Sequence, residues 1–301
     1  MIEPRSTLVP PYDRPMTAQT ERSAADLAAQ ARTALACLDL TSLNDADTEA
    51  DVATLCERAR GPHGQGQRGP VAAVCVWPRL AAFARAQLPA HIAVAAVANF
   101  PDGSADIERA VRDTATIVQS GAQEVDVVLP FALLMAQPTA DARLVASKLL
   151  QAVRKTCDGL TLKVILETGV LADAVLIAEA SQLSLDCGAD FLKTSTGKTP
   201  VSASPQAAQV MLQTIAAMGA ANLGASAATA PRTAHGVGFK ASGGIRTVAD
   251  AAVYMDLLVE HLGAQALSPA RFRIGASSLL NDIEAVLGGH GAAAPAAPGT
   301  Y

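Results

Sequence analysis

Short runs of apolar and β-branched residues recur along this chain, each separated from the next by enough polar and alanine-rich sequence for one helix. The runs are ALACLDLT (34–41), VAAVCVW (71–77), IAVAAVAN (92–99), EVDVVLP (124–130), LKVILET (162–168), DFLKTST (190–196), VGFKAS (237–242) and RFRIGAS (271–277). Segments between them, such as SADIERAVRDTATIVQSG and DAVLIAEASQLSLDCG, keep an apolar helical stripe and end on a glycine suited to close a helix. Strands alternating with helices imply parallel pairing through right-handed crossovers. Eight such units in one chain predict a single (β/α)8 barrel. A doubly wound open sheet is the competing arrangement, but no G-x-G-x-x-G turn follows the first run.

Three segments fall outside the repeat. ERSAADLAAQARTA predicts an extra helix behind an irregular amino-terminal arm, GAANLGASAATAPRTAH (219–235) reads as a small-residue loop, and GGHGAAAPAAPGTY closes the chain as a flexible tail. The expected organisation is therefore an arm and helix over 1–33, the barrel over 34–290 and a tail over 291–301.

Composition narrows the class. Half of the 301 residues are apolar and 17% are charged, a globular balance, and a net charge of −5 without basic runs argues against a nucleic-acid surface. The five cysteines, Cys37, Cys56, Cys75, Cys157 and Cys187, are scattered without a C-x-x-C pair and read as reduced core thiols. The amino terminus carries charges and prolines where a signal peptide needs an apolar run, and no stretch is long enough to span a bilayer. The expectation is a soluble, cytoplasmic protein that acts on small molecules, with no nucleic-acid or membrane partner.

The chemistry suggested by the chain begins with lysines inside strands. Lys193 and Lys240 sit in the sixth and seventh runs, which are neighbours in a barrel. Two ammonium groups side by side, partly buried, depress one another's pKa, and a neutral amine can attack a carbonyl to form a Schiff base. Asp126 lies in the apolar run EVDVVLP, where a carboxylate is costly unless it is paired or does acid–base work. Asp39 in CLDLT and Lys163 at the opening of the fifth run suit either the same site or an internal ion-pair network.

Reacting groups in such barrels come from the carboxyl ends of strands, and phosphate binds after the seventh and eighth. There the chain carries SGGIR, with Gly243, Gly244 and Arg246, and GASSLL, with Gly275, Ser277 and Ser278. Glycine backbones and a helix start suit an anion, although each feature alone reads as a turn or an N-cap. The string STGKT fails as a P-loop because position 192 is leucine rather than glycine, so Lys198, beside Gly197, reads as a further cationic contact to the phosphate. His63, His91, His235, His261 and His290 show no ligand spacing; neither a metal nor a cofactor is expected.

The segments LDLTSLNDADTEADV, VCVWPRL, VANFPDGS, GAQEVDVVLP, LKVILETG, GADFLKTSTGK, VGFKASGGIRT and RIGASSLL, in this order, resemble the deoxyribose-phosphate aldolase family. The resemblance implies a metal-independent class I aldolase of deoxynucleoside breakdown. Such an enzyme reversibly splits 2-deoxy-D-ribose 5-phosphate into D-glyceraldehyde 3-phosphate and acetaldehyde. It further implies that Lys193 forms the Schiff base, Lys240 tunes its pKa and moves protons, Asp126 relays protons, and Asp39 with Lys163 supports them. Gly197, Lys198, Gly243, Gly244, Arg246, Gly275, Ser277 and Ser278 would hold the phosphate. The resemblance is compatible with a homodimer.

The chain departs from the pattern in GFKASGG, where Ala241 and Ser242 replace proline and alanine, a change expected to leave the backbone slightly freer. Loop 219–235 is also longer than usual, and Tyr301 ends a tail expected either to close over the bound sugar or to stay disordered. Two other readings remain at this point: a different Schiff-base aldolase of the transaldolase or ketose-bisphosphate kind, and a non-catalytic sugar-phosphate sensor.

Overall fold

The computed structural model describes residues 23–61, 69–136, 139–222 and 235–289. Eight parallel strands close into one barrel in chain order, β1 (Leu38–Thr41), β2 (Ala73–Val76), β3 (Ala93–Ala98), β4 (Glu124–Val128), β5 (Thr161–Ile165), β6 (Phe191–Lys193), β7 (Gly238–Ser242) and β8 (Phe272–Ala276). The strands are buried on both faces, as parallel strands under a helical layer must be. This is the TIM barrel expected from the spacing of the apolar runs.

Helices α1 (Ala24–Ala36), α2 (Glu49–Arg60), α3 (Pro78–Gln87), α4 (Ile107–Gln119), α5 (Phe131–Ala136), α6 (Ala140–Thr156), α7 (Thr168–Leu171), α8 (Ala174–Asp186), α9 (Pro205–Asn222), α10 (Val248–Leu262) and α11 (Leu279–Leu287) cover the outside. Local chemistry sets many of their starts. Ser23 with Asp26, Thr48 with Asp51 and Thr247 with Asp250 form reciprocal capping boxes, so each helix begins with its first amide donors satisfied.

Three boundaries differ from the sequence expectation, the third being the start of loop 219–235, since α9 runs on to Asn222. The first strand begins at Leu38 rather than Ala34, because α1 continues through Ala36 and so crosses the expected 33/34 boundary. Ala31, Ala34 and Leu35 bury one face of that helix, and alanine favours the helix over the strand. Lys163 stands in the middle of β5 rather than at its opening, with Asp126 as its register partner on β4. The amino-terminal arm, the tail with Tyr301, His63, His290 and residues 223–234 of loop 219–235 lie outside the described residues, while 219–222 of that expected loop belong to α9. No helix among the described residues is long and apolar enough to cross a membrane.

The barrel interior is what sets this chain apart. The usual filling is layers of branched apolar side chains. Here Asp39, Glu124, Asp126, Lys163, Lys193, Lys240 and Arg273 point inward, each at most 8% exposed. The apolar core lies between the strands and the helices, where, for example, Phe239 and Phe272 stack with centroids 6.5 Å apart.

Candidate active site

Strand alternation decides which side chains meet. On β6, Phe191 and Lys193 face inward while Asp190 at the strand's start faces outward, where it accepts from Arg154 Nη1 of α6 at 2.9 Å. Lys193 is the register partner of Lys240, and Lys240 is the register partner of Arg273, so three basic side chains from β6, β7 and β8 enter the same cavity.

Three carboxylates answer them. Asp39 accepts from Arg273 on Oδ1 at 2.7 Å and from Lys240 on Oδ2 at 2.5 Å. Asp126 accepts from Lys240 on Oδ2 at 2.8 Å and from Lys163 on Oδ1 at 2.8 Å. Glu124 accepts from Lys163 at 2.5 Å and from Arg273 at 2.7 Å. The result is a closed ring of alternating charge: Arg273, Asp39, Lys240, Asp126, Lys163, Glu124 and back to Arg273. Lys193 is attached to this ring at a single point, donating to Asp126 Oδ2 at 2.9 Å.

The ring is balanced, with three carboxylates against three cations, before Lys193 is counted. A seventh ionised group would leave an uncompensated buried charge, which is expensive. Burial, followed by the positive charge of Lys240, lowers the Lys193 amine below its ordinary value, although Asp126 works in the opposite direction. For Lys240, burial opposes the charge, yet Asp126 and Asp39 outweigh it and hold the amine well above its ordinary value. Burial also works against the charge of Asp126, but Lys163, Lys193 and Lys240 hold its carboxyl well below the usual range. Burial, helped by the neighbouring ammonium, thus lowers Lys193 but not Lys240, which is compensated on both sides.

Neighbours make room for these groups. A β-carbon on Gly275 would lie 2.9 Å from Ser242 Cβ and 3.0 Å from Lys240 Cε, so the absent side chain is space that Lys240 occupies. A β-carbon on Gly238 would meet the Phe191 ring at 2.3 Å, and that ring sits beneath the Arg273 guanidinium at 5.9 Å. Cys75, on β2, brings its sulfur 3.9 Å from Asp126 Oδ2, and burial raises its thiol. All five cysteines are buried and none is in a disulfide; burial pushes the Cys37 thiol up to about 12 and that of Cys56 up to about 11. Among the described residues, no group of three or more His, Cys, Asp or Glu is arranged to hold a metal ion.

The expected anion-binding residues gather at the carboxyl ends of β6, β7 and β8. Gly197, Gly243 and Gly244 have φ of 80°, 88° and 82°, which glycine alone adopts freely. A β-carbon on Gly243 would stand 3.5 Å from Gly197 Cα, so the two loops touch through their backbones. Lys198 reaches across the mouth to donate from Nζ to Leu43 O at 2.8 Å. Arg246 is half-buried and its backbone N–H donates to Asp250. Ser278 occupies the N-cap of α11 without a side-chain capping bond, and Ser277 beside it is exposed, so neither hydroxyl is used to start the helix. Ser242 does not loosen β7: its Oγ donates to Ser195 O at 2.6 Å and its N–H to Thr194 Oγ1 at 2.9 Å.

Sequence reasoning missed Glu124, Arg273 and Glu167. The first two were legible in part, since each lies two residues from a singled-out position on the same strand face. Glu167 was counted within the fifth strand, but β5 ends at Ile165 and Glu167 turns into the left-handed region with φ 57°. Burial raises its carboxyl, against the hydrogen bonds of Thr196 and Thr199 and the charge of Lys193.

Comparison with known proteins agrees with this barrel. The model of the DeoC/LacD family of aldolases matches residues 33–285. The chain belongs to that family. Among solved structures, a provisionally named deoxyribose-phosphate aldolase from Toxoplasma gondii superposes with a TM-score of 0.79 at 22% identity, over 88% of this chain and 97% of that one, a likeness of fold. A protein provisionally given the same name from Coccidioides immitis is 28% identical, with a TM-score of 0.64 over 83% of this chain and 85% of its own. The deoxyribose phosphate aldolase of Aeropyrum pernix, described as a tetramer, is 25% identical with a TM-score of 0.60, over 88% and 98% of the two chains. As a DeoC/LacD aldolase, this chain makes or breaks a carbon–carbon bond, and the inward-facing charged cluster is where the family's chemistry has its candidates.

Proposed function

We propose that this DeoC/LacD aldolase works by the class I route, with Lys193 as the Schiff-base residue, and that it reversibly cleaves 2-deoxy-D-ribose 5-phosphate to D-glyceraldehyde 3-phosphate and acetaldehyde. The observation that carries the proposal is the ring described above. It is electrically complete without Lys193, which leaves that amine as the group free to be neutral and nucleophilic. The names of the Coccidioides immitis and Aeropyrum pernix structures support the choice of substrate.

The steps follow from the chemistry of an amine and an aldehyde. The Lys193 nitrogen attacks C1 of the open-chain sugar, and the C1 oxygen departs as water, leaving an iminium. Removal of the C3 hydroxyl proton breaks the C2–C3 bond, whose electrons pass to the iminium as an enamine, and the three-carbon aldehyde phosphate is released. Protonation of the enamine carbon and addition of water free acetaldehyde and restore the amine. Each step moves a proton. Asp126 Oδ2, lying within 2.9 Å of Lys193 Nζ and 2.8 Å of Lys240 Nζ, connects the reacting nitrogen with an ammonium that stays protonated at neutral pH. Asp39 and Lys163 hold Lys240 and Asp126 in place from the other side.

The phosphate of the substrate would be held by Gly197, Lys198, Gly243, Gly244, Arg246, Gly275, Ser277 and Ser278. Positive-φ glycines on two touching loops and unused serine hydroxyls at a helix start support this reading. Incubation with acetaldehyde followed by borohydride reduction tests the proposal, with intact mass and peptide mapping as the readout. An ethyl adduct on Lys193 is expected. An adduct on Lys240 reverses the lysine roles, and no adduct in folded protein defeats the class I reading.

A further inference from the structure

Glu167 is a fully buried carboxylate at the carboxyl end of β5 that the chemistry above does not use. It stands at the N-cap of the short helix α7 yet makes no capping bond to it, because its backbone, at φ 57° and ψ 58°, is left-handed. A residue with a β-carbon adopts that conformation at a cost, and does so where its surroundings demand it. Here the turn aims the side chain at the loop after β6. Glu167 Oε2 accepts from the Thr196 N–H at 3.2 Å and from the Thr196 hydroxyl at 2.5 Å, and Oε1 lies 3.2 Å from the Thr199 hydroxyl, whose one proton it shares with Val201 O at 2.9 Å.

The Thr196 hydroxyl has one proton, which Glu167 takes. Its lone pair is thereby directed to the Lys198 backbone N–H, which donates to Thr196 Oγ1 at 3.0 Å. One carboxylate therefore fixes the Thr196 end of the segment Thr196–Thr199 and the direction of the hydrogen bond inside it, and shares the hydroxyl at its other end with Val201 O. That segment contains Gly197 and Lys198. Two further bonds tie its base to the turn from β5 into α7: Leu166 N donates to Lys193 O at 3.0 Å and Thr168 N to Thr194 O at 2.9 Å.

We infer that Glu167 is a positioning residue for phosphate recognition, shaping the Thr196–Thr199 loop so that Gly197 and Lys198 meet the substrate's phosphate. This rests on the proposed function for the identity of the substrate, but its principal test does not. A merely structural Glu167 would disturb the lysine site and the anion site together. A positioning residue for the loop would disturb the anion site alone.

Binding of inorganic phosphate to the whole protein is measured by calorimetry for wild type, Glu167→Gln and Thr196→Val, alongside the rate of borohydride-trapped acetaldehyde adduct on Lys193. Phosphate affinity is expected to fall about tenfold in both variants, the scale of a lost charge-assisted hydrogen bond. The rate of adduct formation is expected to stay within about twofold. Unchanged phosphate binding in both variants overturns the inference, as does an equal loss of phosphate binding and adduct formation, or wild-type protein that binds no phosphate. Wild type that binds phosphate but forms no adduct, with weaker phosphate binding in the variants, supports the inference and defeats the class I reading instead.

Discussion

Lys193 and Lys240, register partners on β6 and β7, place their amines on the same oxygen of Asp126, at 2.9 and 2.8 Å. They are nevertheless unequal. Lys240 has a second carboxylate, Asp39, at 2.5 Å, whereas among the described residues Asp126 is the one carboxylate paired with Lys193. That difference moves two chemically identical side chains in opposite directions, Lys240 above the ordinary lysine value and Lys193 below it.

Replacing Lys240 by methionine removes the cation that helps hold Lys193 low. The Lys193 amine must be neutral to attack, so activity rises as pH rises through its pKa. In Lys240→Met that rise is expected to move to higher pH, because the nearby positive charge that opposes protonation of Lys193 is gone. The pH dependence of kcat/KM checks it. A limb that stays in place while the maximum rate falls would mean that Lys240 serves only in proton transfer.

Gly275→Ala introduces a β-carbon 3.0 Å from Lys240 Cε and 2.9 Å from Ser242 Cβ. Displacing the ammonium from Asp126 and Asp39 should lower kcat about ten- to a hundredfold, as small misplacements of reacting groups do. If Gly275 matters only through its backbone at the phosphate, KM rises instead and kcat holds. Steady-state kinetics with a thermal melt on the same sample separate the two outcomes.

Arg273 and Glu124 close the ring at the floor of the barrel, joined at 2.7 Å. Removing either partner, as Arg273→Met or Glu124→Gln, should cost about 3–5 kcal/mol, because a buried charge is left uncompensated. The double variant should be more stable than the sum of the two losses predicts, with a coupling of about 1 kcal/mol or more. Urea unfolding of the four proteins measures the cycle, and strict additivity would contradict a closed network.

Acid should unfold the protein through the same carboxylates. Asp39, Glu124 and Asp126 are all held below their ordinary values by the surrounding cations, against the effect of burial. A carboxylate whose pKa is lower folded than unfolded contributes stability that is fully present above the unfolded value, near 4, and is lost as pH falls through the folded one. Stability from these groups should therefore be flat above about pH 5 and fall below about pH 4, by up to about 4 kcal/mol per pH unit if all three take up protons only on unfolding. Urea midpoints between pH 6 and 3 provide the check, and a flat profile would refute the linkage.

Local sequence by itself determined the eight strands and their order and placed Asp39, Asp126, Lys163, Lys193 and Lys240 within apolar runs, because apolar periodicity is a property of neighbouring residues. It also pointed to the glycine-rich strand ends that suit an anion. What only the tertiary structure decided is who meets whom. Glu124 and Arg273 sit near strand starts, where a charge looks like a solvent-facing end, and only closure of β8 onto β1 brings Arg273 to Asp39, its partner across the chain. Glu167 passed for strand until its left-handed turn sent it to Thr196. The inequality of Lys193 and Lys240 likewise depends on Asp39 arriving from the far end of the chain, since a pKa is set by distances in space and burial, which spacing along a chain does not specify.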